Sequence, residues 1–403
     1  MAAEKTLYRN CTLYTGTRVI RGGSLLVDGA GVVVDAGGGQ TVSVPADARV
    51  VDLKGRLVLP GFVDVHVHGG GGWDMLRGTP EDFAGAARYH AAHGTTSLLA
   101  TTGGAPEADT SELLRHARRA IEERNTGGAD VIGVHLEGPF LHPARKGAFR
   151  EEWLHPPDFG EMDRYLDTSG GTIRIVTLAP ELEGGEAFVR RLCALGIRVS
   201  VGHSDASYEQ MLDAVEWGAR RTTHHFNGMR PLHHRDPGAA GAGLMLPALT
   251  TELIADGLHV HPAAIRFLFD VKGVCSVCVI TDAVAQAGLP DGVYGSVETS
   301  GGEIYLSGTR TLAGSSSTML GSLRRVLSYT GRTLENVLPS FTAVPAREAG
   351  AASRKGTLEA GKDADFLVLD ESLELLETYV RGRRVYVGAG AAYEDERGGD
   401  GSC

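Results

Sequence analysis

The chain has 403 residues, of which 42% are hydrophobic and 22% charged, and its formal net charge is −11. That composition fits a soluble globular protein of about two or three domains, and the acidic balance argues against a nucleic-acid or anionic-membrane partner, since both need a basic surface. The 56 glycines follow no period, which excludes a collagen-like chain, and five cysteines form no framework, as expected in a reducing cytoplasm.

In chain order, the segment Met1-Ala2-Ala3-Glu4-Lys5 carries no signal-like apolar stretch, and no run approaches the ~18 apolar residues that span a bilayer. Residues 1–60 read as short strands with glycine turns, at 6–14, 24–28, 31–36 and 48–53. Residues 61–345 alternate instead. Strands are expected at 61–68, 95–101, 131–137, 172–178, 197–203, 221–225, 251–255 and 274–282, with helix-like segments at 80–93, 110–124, 185–195, 207–217 and 262–271. Eight strands with intervening helices predict an α/β fold, a (β/α)8 TIM-like barrel. A doubly wound open sheet is the alternative that periodicity leaves open. Residues 346–390 return to a β pattern, with strands at 365–370 and 378–387. Neither β-rich end has the apolar length to fold alone, so the two are expected to pair into one small β-sandwich domain. The Gly/Asp/Glu-rich stretch 391–403 is expected to be a mobile tail. Cys275 and Cys278 are spaced like half a zinc knuckle without a second pair, so both are expected to be buried structural cysteines.

The polar residues at the strand ends carry the chemical signal. Strand one ends in His66-Val67-His68, strand three in His135-Leu136-Glu137, strand five in Gly202-His203-Ser204, strand six in His224-His225 and strand eight in Thr281-Asp282-Ala283. In a barrel all of these ends meet on one face, where catalytic residues sit. His66 and His68 are two apart and leave the same side of a strand. A lone strand-end histidine is usually structural; several with two carboxylates point to a divalent metal. Zn2+ is the first expectation, and the same donors serve Fe2+ and Mn2+. Such an ion generates a nucleophile from water, and Asp282 is placed to act as acid and base.

The segment Pro60-Gly61-Phe62-Val63-Asp64-Val65-His66-Val67-His68-Gly69 resembles the first barrel strand of the amidohydrolase superfamily. More narrowly, the chain resembles the N-acetylglucosamine-6-phosphate deacetylase family. The residues that carry this likeness are His135-Leu136-Glu137-Gly138-Pro139-Phe140, Gly202-His203-Ser204, Thr223-His224-His225-Phe226-Asn227-Gly228-Met229, Asp256-Gly257-Leu258-His259, Thr281-Asp282-Ala283 and Leu312-Ala313-Gly314-Ser315-Ser316. The likeness runs through essentially the whole chain in order. It implies release of acetate from N-acetylglucosamine 6-phosphate, with Glu137, His203 and His224 holding the principal metal and His66 and His68 available to a second. Glu137 takes the place of the carbamylated lysine found on strand four of many relatives, a strand without lysine here. The likeness further implies substrate contacts at Asn227, Gly228, Arg235 and His259, and a homodimer in which a neighbour's residue enters the site.

One segment departs from the family. Where its members usually read Lys-Gly-x-His, with the histidine on the substrate, this chain reads Lys146-Gly147-Ala148-Phe149. A phenyl ring donates no hydrogen bond, so either another donor (among His142, His155, His233 and His234) replaces it or the N-acetylated sugar differs. Trp73 reads equally as a sugar-stacking ring or as packing beneath the first loop. A barrel retained only for binding should have lost ligands, and this one keeps every candidate.

Overall fold

The computed structural model describes residues 5–39, 41–43 and 45–390; the expected tail at 391–403 lies outside the described residues. Eight parallel strands run Phe62–Val67, Thr95–Thr101, Asp130–Glu137, Ile173–Leu178, Arg198–Val201, Arg221–Thr222, Thr250–Ile254 and Val277–Ile280, here called barrel strands one to eight. Each pairs with its neighbour in sequence order. A parallel bridge from Val67 to Ala283, with the Asp282 N–H donated to the His66 carbonyl at 2.9 Å, brings the end of strand eight back to strand one. The closed barrel therefore replaces the open-sheet alternative.

One helix follows each strand: Pro80–Ala91, Glu107–Glu123, Phe159–Ser169, Gly185–Ala194, Tyr208–Trp217, Gly238–Met245, Pro262–Lys272 and Met319–Thr330. Their ends are set locally. Ser207 and Gln210 form a capping box on Tyr208–Trp217, and Asp158 caps Phe159–Ser169, which stops at left-handed Gly170. Helix Gly238–Met245 gives no amphipathic signal because nearly all of it is buried. Its glycines have a steric reason: a Cβ on Gly243 would lie 2.2 Å from the His225 ring.

Val63, Val65, Leu99, Ile132, Ile175, Ile254, Cys278 and Ile280 cluster with Val344 and Ala346 from the short helix Ala343–Glu348. Apolar packing thus fills part of the barrel interior. Cys278 belongs to this packing, but Cys275 does not: it is exposed, because Val274–Ser276 forms a 3-10 turn and strand eight begins only at Val277.

Both chain ends enter one eight-stranded sheet. Thr6–Tyr14, Val19–Val27, Val33–Gly38, Arg49–Asp52 and Leu57–Pro60 come from the first, and Phe366–Leu369, Leu375–Val380 and Arg383–Val387 from the second. Leu57–Pro60 pairs antiparallel with Phe366–Leu369 and stitches the two ends together. Tyr8, Phe366 and Tyr379 pack ring on ring, the last two stacked at 4.2 Å. Fully buried Lys355 joins this sheet to the barrel, its Nζ 2.9 Å from Asp130 and 2.7 Å from Asp365. A three-stranded antiparallel insertion after strand eight (Gly292–Tyr294, Val297–Ser300, Glu303–Leu306) has no counterpart in the sequence expectations. No helix among the described residues is long and apolar enough to cross a membrane.

Candidate metal centre

The strand ends bring His66, His68, Glu137, His203, His224 and Asp282 into one cluster. Glu137, at the end of strand three, is its centre. One carboxylate oxygen lies 3.4 Å from His203 Nε2 and 3.1 Å from His224 Nε2; the other lies 3.2 Å from His66 Nε2 and 3.4 Å from His68 Nε2. Asp282 approaches from strand eight, 3.1 Å from His68 Nε2 and 3.4 Å from His66 Nε2.

The hydrogen bonds on the far side of each ring fix what these nitrogens can do. His203 Nδ1 donates to the Arg145 carbonyl at 2.7 Å, and His224 Nδ1 to the Asn227 carbonyl at 3.1 Å. His66 Nδ1 meets the Glu252 carboxylate at 3.0 Å. Carbonyls only accept, so the hydrogen of His203 and of His224 sits on Nδ1 and the Nε2 lone pair points inward. The two Nε2 atoms are 3.0 Å apart with a carboxylate oxygen beside them. With Nδ1 committed to a carbonyl, the inward Nε2 atoms of the two rings, when neutral, would offer their lone pairs to a divalent cation. Glu137 with His203 and His224, and His66 with His68 and Asp282, are both sets of the right size and chemistry.

Electrostatics agree with that fit. Burial pushes the Glu137 carboxyl up, but His66, His203 and His224 outweigh it and hold Glu137 well below the carboxylate range. Burial likewise pulls His66 and His68 down, yet Glu137 and Asp282 outweigh it, leaving His66 well above its ordinary value and His68 near 9. The two carboxylates thus demand positive charge, from ring protons or from a cation.

Three of these residues also sit on backbone that few side chains adopt. His203, His224 and Asp282 have φ of 45°, 28° and 52°. Each terminates its strand in a left-handed turn that lifts the side chain off the sheet ladder, and such strain collects at functional sites.

Beneath the cluster lies a buried network the sequence reading missed. Glu252 on strand seven accepts hydrogen bonds from His66 Nδ1, from the His224 N–H at 3.1 Å and from Arg221 of strand six. Arg221 also reaches Glu348 at 3.3 Å, and Arg221 and Glu252 are wholly buried. Charged residues inside segments expected to be barrel strands were the available signal. His135 meets Glu252 and His66 in a third potential ligand set. Its ring, however, is spent on the Val65 carbonyl at 2.9 Å and the Thr177 hydroxyl at 2.7 Å, and burial presses its pKa down to about 3.

The cluster opens into a cavity of about 760 Å³ whose wall includes Asn227, Gly228 and His259. Gly228, at φ 57°, leaves room that a Cβ would take 3.0 Å from His203 Nδ1. His259 is held by Asp256, 2.6 Å from Nδ1. Arg235 does not line this cavity; it is exposed, with its guanidinium 2.8 Å from His234. Phe149 does line it, its ring 4.8 Å from that of His203. His142 is used locally as a cap, and His155 pairs with Glu161 at 3.2 Å. Trp73 packs over Gly85 rather than facing the cavity, whereas Trp153 contributes to the wall.

With the geometry in hand, comparison with known proteins is informative. The profile of the amidohydrolase family matches residues 57–385. The N-acetylglucosamine-6-phosphate deacetylase of Bacillus subtilis is 35% identical over 395 residues, covering 96% of this chain and 98% of its own. The protein of the same name from Homo sapiens is 37% identical, covering 93% and 95%. Among solved structures, a mutant N-acetyl-D-glucosamine-6-phosphate deacetylase from Mycobacterium smegmatis, in complex with N-acetyl-D-glucosamine-6-phosphate, superposes with a TM-score of 0.88 at 35% identity. It covers 95% of this chain and 99% of its own.

Proposed function

The chain belongs to the amidohydrolase family, and from that premise we propose that it hydrolyses N-acetylglucosamine 6-phosphate to glucosamine 6-phosphate and acetate. The observation that carries this reading is the Glu137 carboxylate set between two inward-facing histidine pairs at the mouth of a closed barrel. Glu137, His203 and His224 would hold the principal divalent ion, with Zn2+ the best match to two imidazoles and a carboxylate. His66 and His68 would share a second with Asp282. When bound, the ion supplies Lewis acidity, lowering the pKa of water towards ~7 and polarising the amide carbonyl.

The protein's own groups do the rest. Asp282, 3.1 Å from His68, is held below the usual carboxylate range by the neighbouring histidines, against the upward push of burial. It is therefore a carboxylate, able to take the proton from attacking water. It then returns that proton to the amine nitrogen as the C–N bond breaks, which keeps the leaving group from departing as an amide anion. Glu252 orients His66 and the His224 backbone. Asn227, Gly228 and His259 would hold the sugar phosphate along the cavity wall. Exposed Arg235 would serve a neighbouring protomer's site in a homodimer, and the expected compartment is the cytoplasm.

Phe149 supports a second reading, in which the preferred N-acetylated sugar differs, because the wall beside His203 has a phenyl ring where the family places a donor. Acetate release measured on N-acetylglucosamine 6-phosphate, N-acetylgalactosamine 6-phosphate and unphosphorylated N-acetylglucosamine separates the two. The first substrate should give the highest kcat/KM; a higher value for either of the others would move the assignment to that sugar.

A further inference from the structure

Strand four gives the metal cluster no ligand, but the turn that follows it reaches a neighbouring strand end. Glu181 lies in that turn, which is closed by the Leu182 N–H on the Ala179 carbonyl at 3.3 Å and the Gly185 N–H on the Leu182 carbonyl at 2.9 Å. Its carboxylate crosses to the residues just beyond strand five. One oxygen accepts the Asp205 N–H at 2.6 Å, and the other accepts the Ser204 hydroxyl at 2.8 Å. Burial pushes the Glu181 carboxyl up, and these two donors act against that rise. No lysine or arginine pairs with it among the described residues.

Ser204 and Asp205 directly follow His203, whose φ of 45° is one that few side chains adopt. Such backbone persists where its surroundings hold it. The loop after strand three supplies part of the hold. The His142 N–H donates to the His203 carbonyl at 2.9 Å, and the Arg145 carbonyl accepts from His203 Nδ1 at 2.7 Å. The Arg145 guanidinium then returns to Asp205, where one carboxylate oxygen accepts Nε at 2.7 Å and Nη2 at 2.6 Å. Gly147 of the same loop lies so close that a Cβ there would sit 3.3 Å from the His203 ring. The contacts form a closed circuit. Glu181 fixes the Ser204–Asp205 turn, Asp205 fixes Arg145, and the Arg145 carbonyl fixes His203 Nδ1.

We propose that Glu181 is a positioning residue of the metal centre: through the Ser204–Asp205 turn and Arg145 it holds the His203 ring with Nε2 directed at the cluster. The inference rests on the metal-centre reading above, whose proton transfers and substrate contacts make no use of this carboxylate. It acts by hydrogen bonding rather than by charge. An amide at position 181 can still accept the Asp205 N–H and donate to the Ser204 hydroxyl oxygen, whereas a methyl group does neither.

The test measures Zn2+ affinity, by competition with a chromophoric chelator, on folded, metal-stripped wild type, Glu181→Ala, Glu181→Gln and Asp205→Ala. Glu181→Ala should weaken Zn2+ binding about tenfold, the low end of what losing a bond behind a ligand does. Glu181→Gln should recover most of that loss. Asp205→Ala, which frees the partly exposed Arg145, should weaken binding about threefold. Combining the two alanine changes should have less effect than their product, since both act along one path. Glu107→Ala, which breaks an exposed pair with Arg164, should bind as wild type does. Urea unfolding of the stripped proteins separates support of the ligand from support of the fold. Wild-type affinity in Glu181→Ala, whatever its stability, would overturn the proposal. So would a glutamine variant as weak as the alanine one, which would make charge the cause. Should Glu181→Ala fail to fold, Ser204→Ala removes the hydroxyl from the same contact, and unchanged affinity there overturns the proposal. Wild type that holds Zn2+ but releases no acetate would end the deacetylase reading and leave Glu181 to be judged on affinity; wild type that holds no Zn2+ would end the metal reading and this inference with it.

Discussion

Replacing Glu252 with glutamine removes one negative charge from a place where three donors meet. The carboxylate accepts from Arg221, from His66 Nδ1 at 3.0 Å and from the His224 N–H at 3.1 Å, and neither Glu252 nor Arg221 has any solvent exposure. An amide offers one accepting oxygen, and its NH2 group must point at a donor. Arg221 would keep only Glu348, at 3.3 Å. Breaking a buried ion pair costs about 3–5 kcal/mol, and the surviving Glu348 contact puts the expectation at about 3 kcal/mol. In the opposite orientation, with the NH2 group turned towards His66, that ring would instead lose the partner that sets its tautomer, and loss of such a supporting bond typically weakens metal affinity about 10–100-fold. Urea unfolding of the metal-stripped proteins measures the first effect, and competition with a chromophoric chelator the second. A Glu252→Gln variant that unfolds with wild-type stability and binds metal equally well would refute the network as a support for the centre.

Two further outcomes follow from the same geometry. Asp282→Asn should lower kcat about 10²–10⁴-fold while leaving the ion held by Glu137, His203 and His224 in place; metal content and turnover measured on one preparation check both halves, and undiminished turnover would remove Asp282 from proton transfer. His90 donates from Nε2 to the Gly69 carbonyl at 2.9 Å, and its buried Nδ1 has no partner among the described residues, so burial lowers its pKa from 6.5 to about 4. The unfolded chain then binds the extra proton first: stability should be flat in this group above pH 6.5, fall by about 3 kcal/mol as pH drops through the window to 4, and level off below it. A His90→Gln variant should lose that slope in pH-dependent unfolding, and an unchanged slope would assign it elsewhere.

The six clustered residues were legible because barrel topology does the long-range work: once eight strands are recognised, their C-terminal ends must share a face, and polar residues there must meet. The β-rich ends were legible for a similar reason, each being too short to bury its own apolar side. What stayed hidden has physical causes. Glu252 and Arg221 look like surface charges on a strand until both strands are known to be interior. Helix Gly238–Met245 is buried nearly throughout, so it shows no polar face to mark its period. Cys275 was expected inside because an apolar run hides where a 3-10 turn ends and a strand begins. The insertion after strand eight consists of strands of three or four residues, too short to stand out by alternation. Arg235 shows the limit from the other side: a motif can fix where a residue lies in the chain without fixing which way its loop turns.

The central claim is that Glu137, His203 and His224 hold a divalent ion on which amide hydrolysis depends. The most direct measurement is acetate release from N-acetylglucosamine 6-phosphate by purified protein whose metal content is determined before chelation, after chelation and after adding Zn2+ back. The account predicts at least one tightly held ion per chain, loss of acetate release when it is stripped and recovery when it returns, with no recovery in a His203→Ala, His224→Ala variant. Stripped protein that releases acetate at the original rate would contradict it.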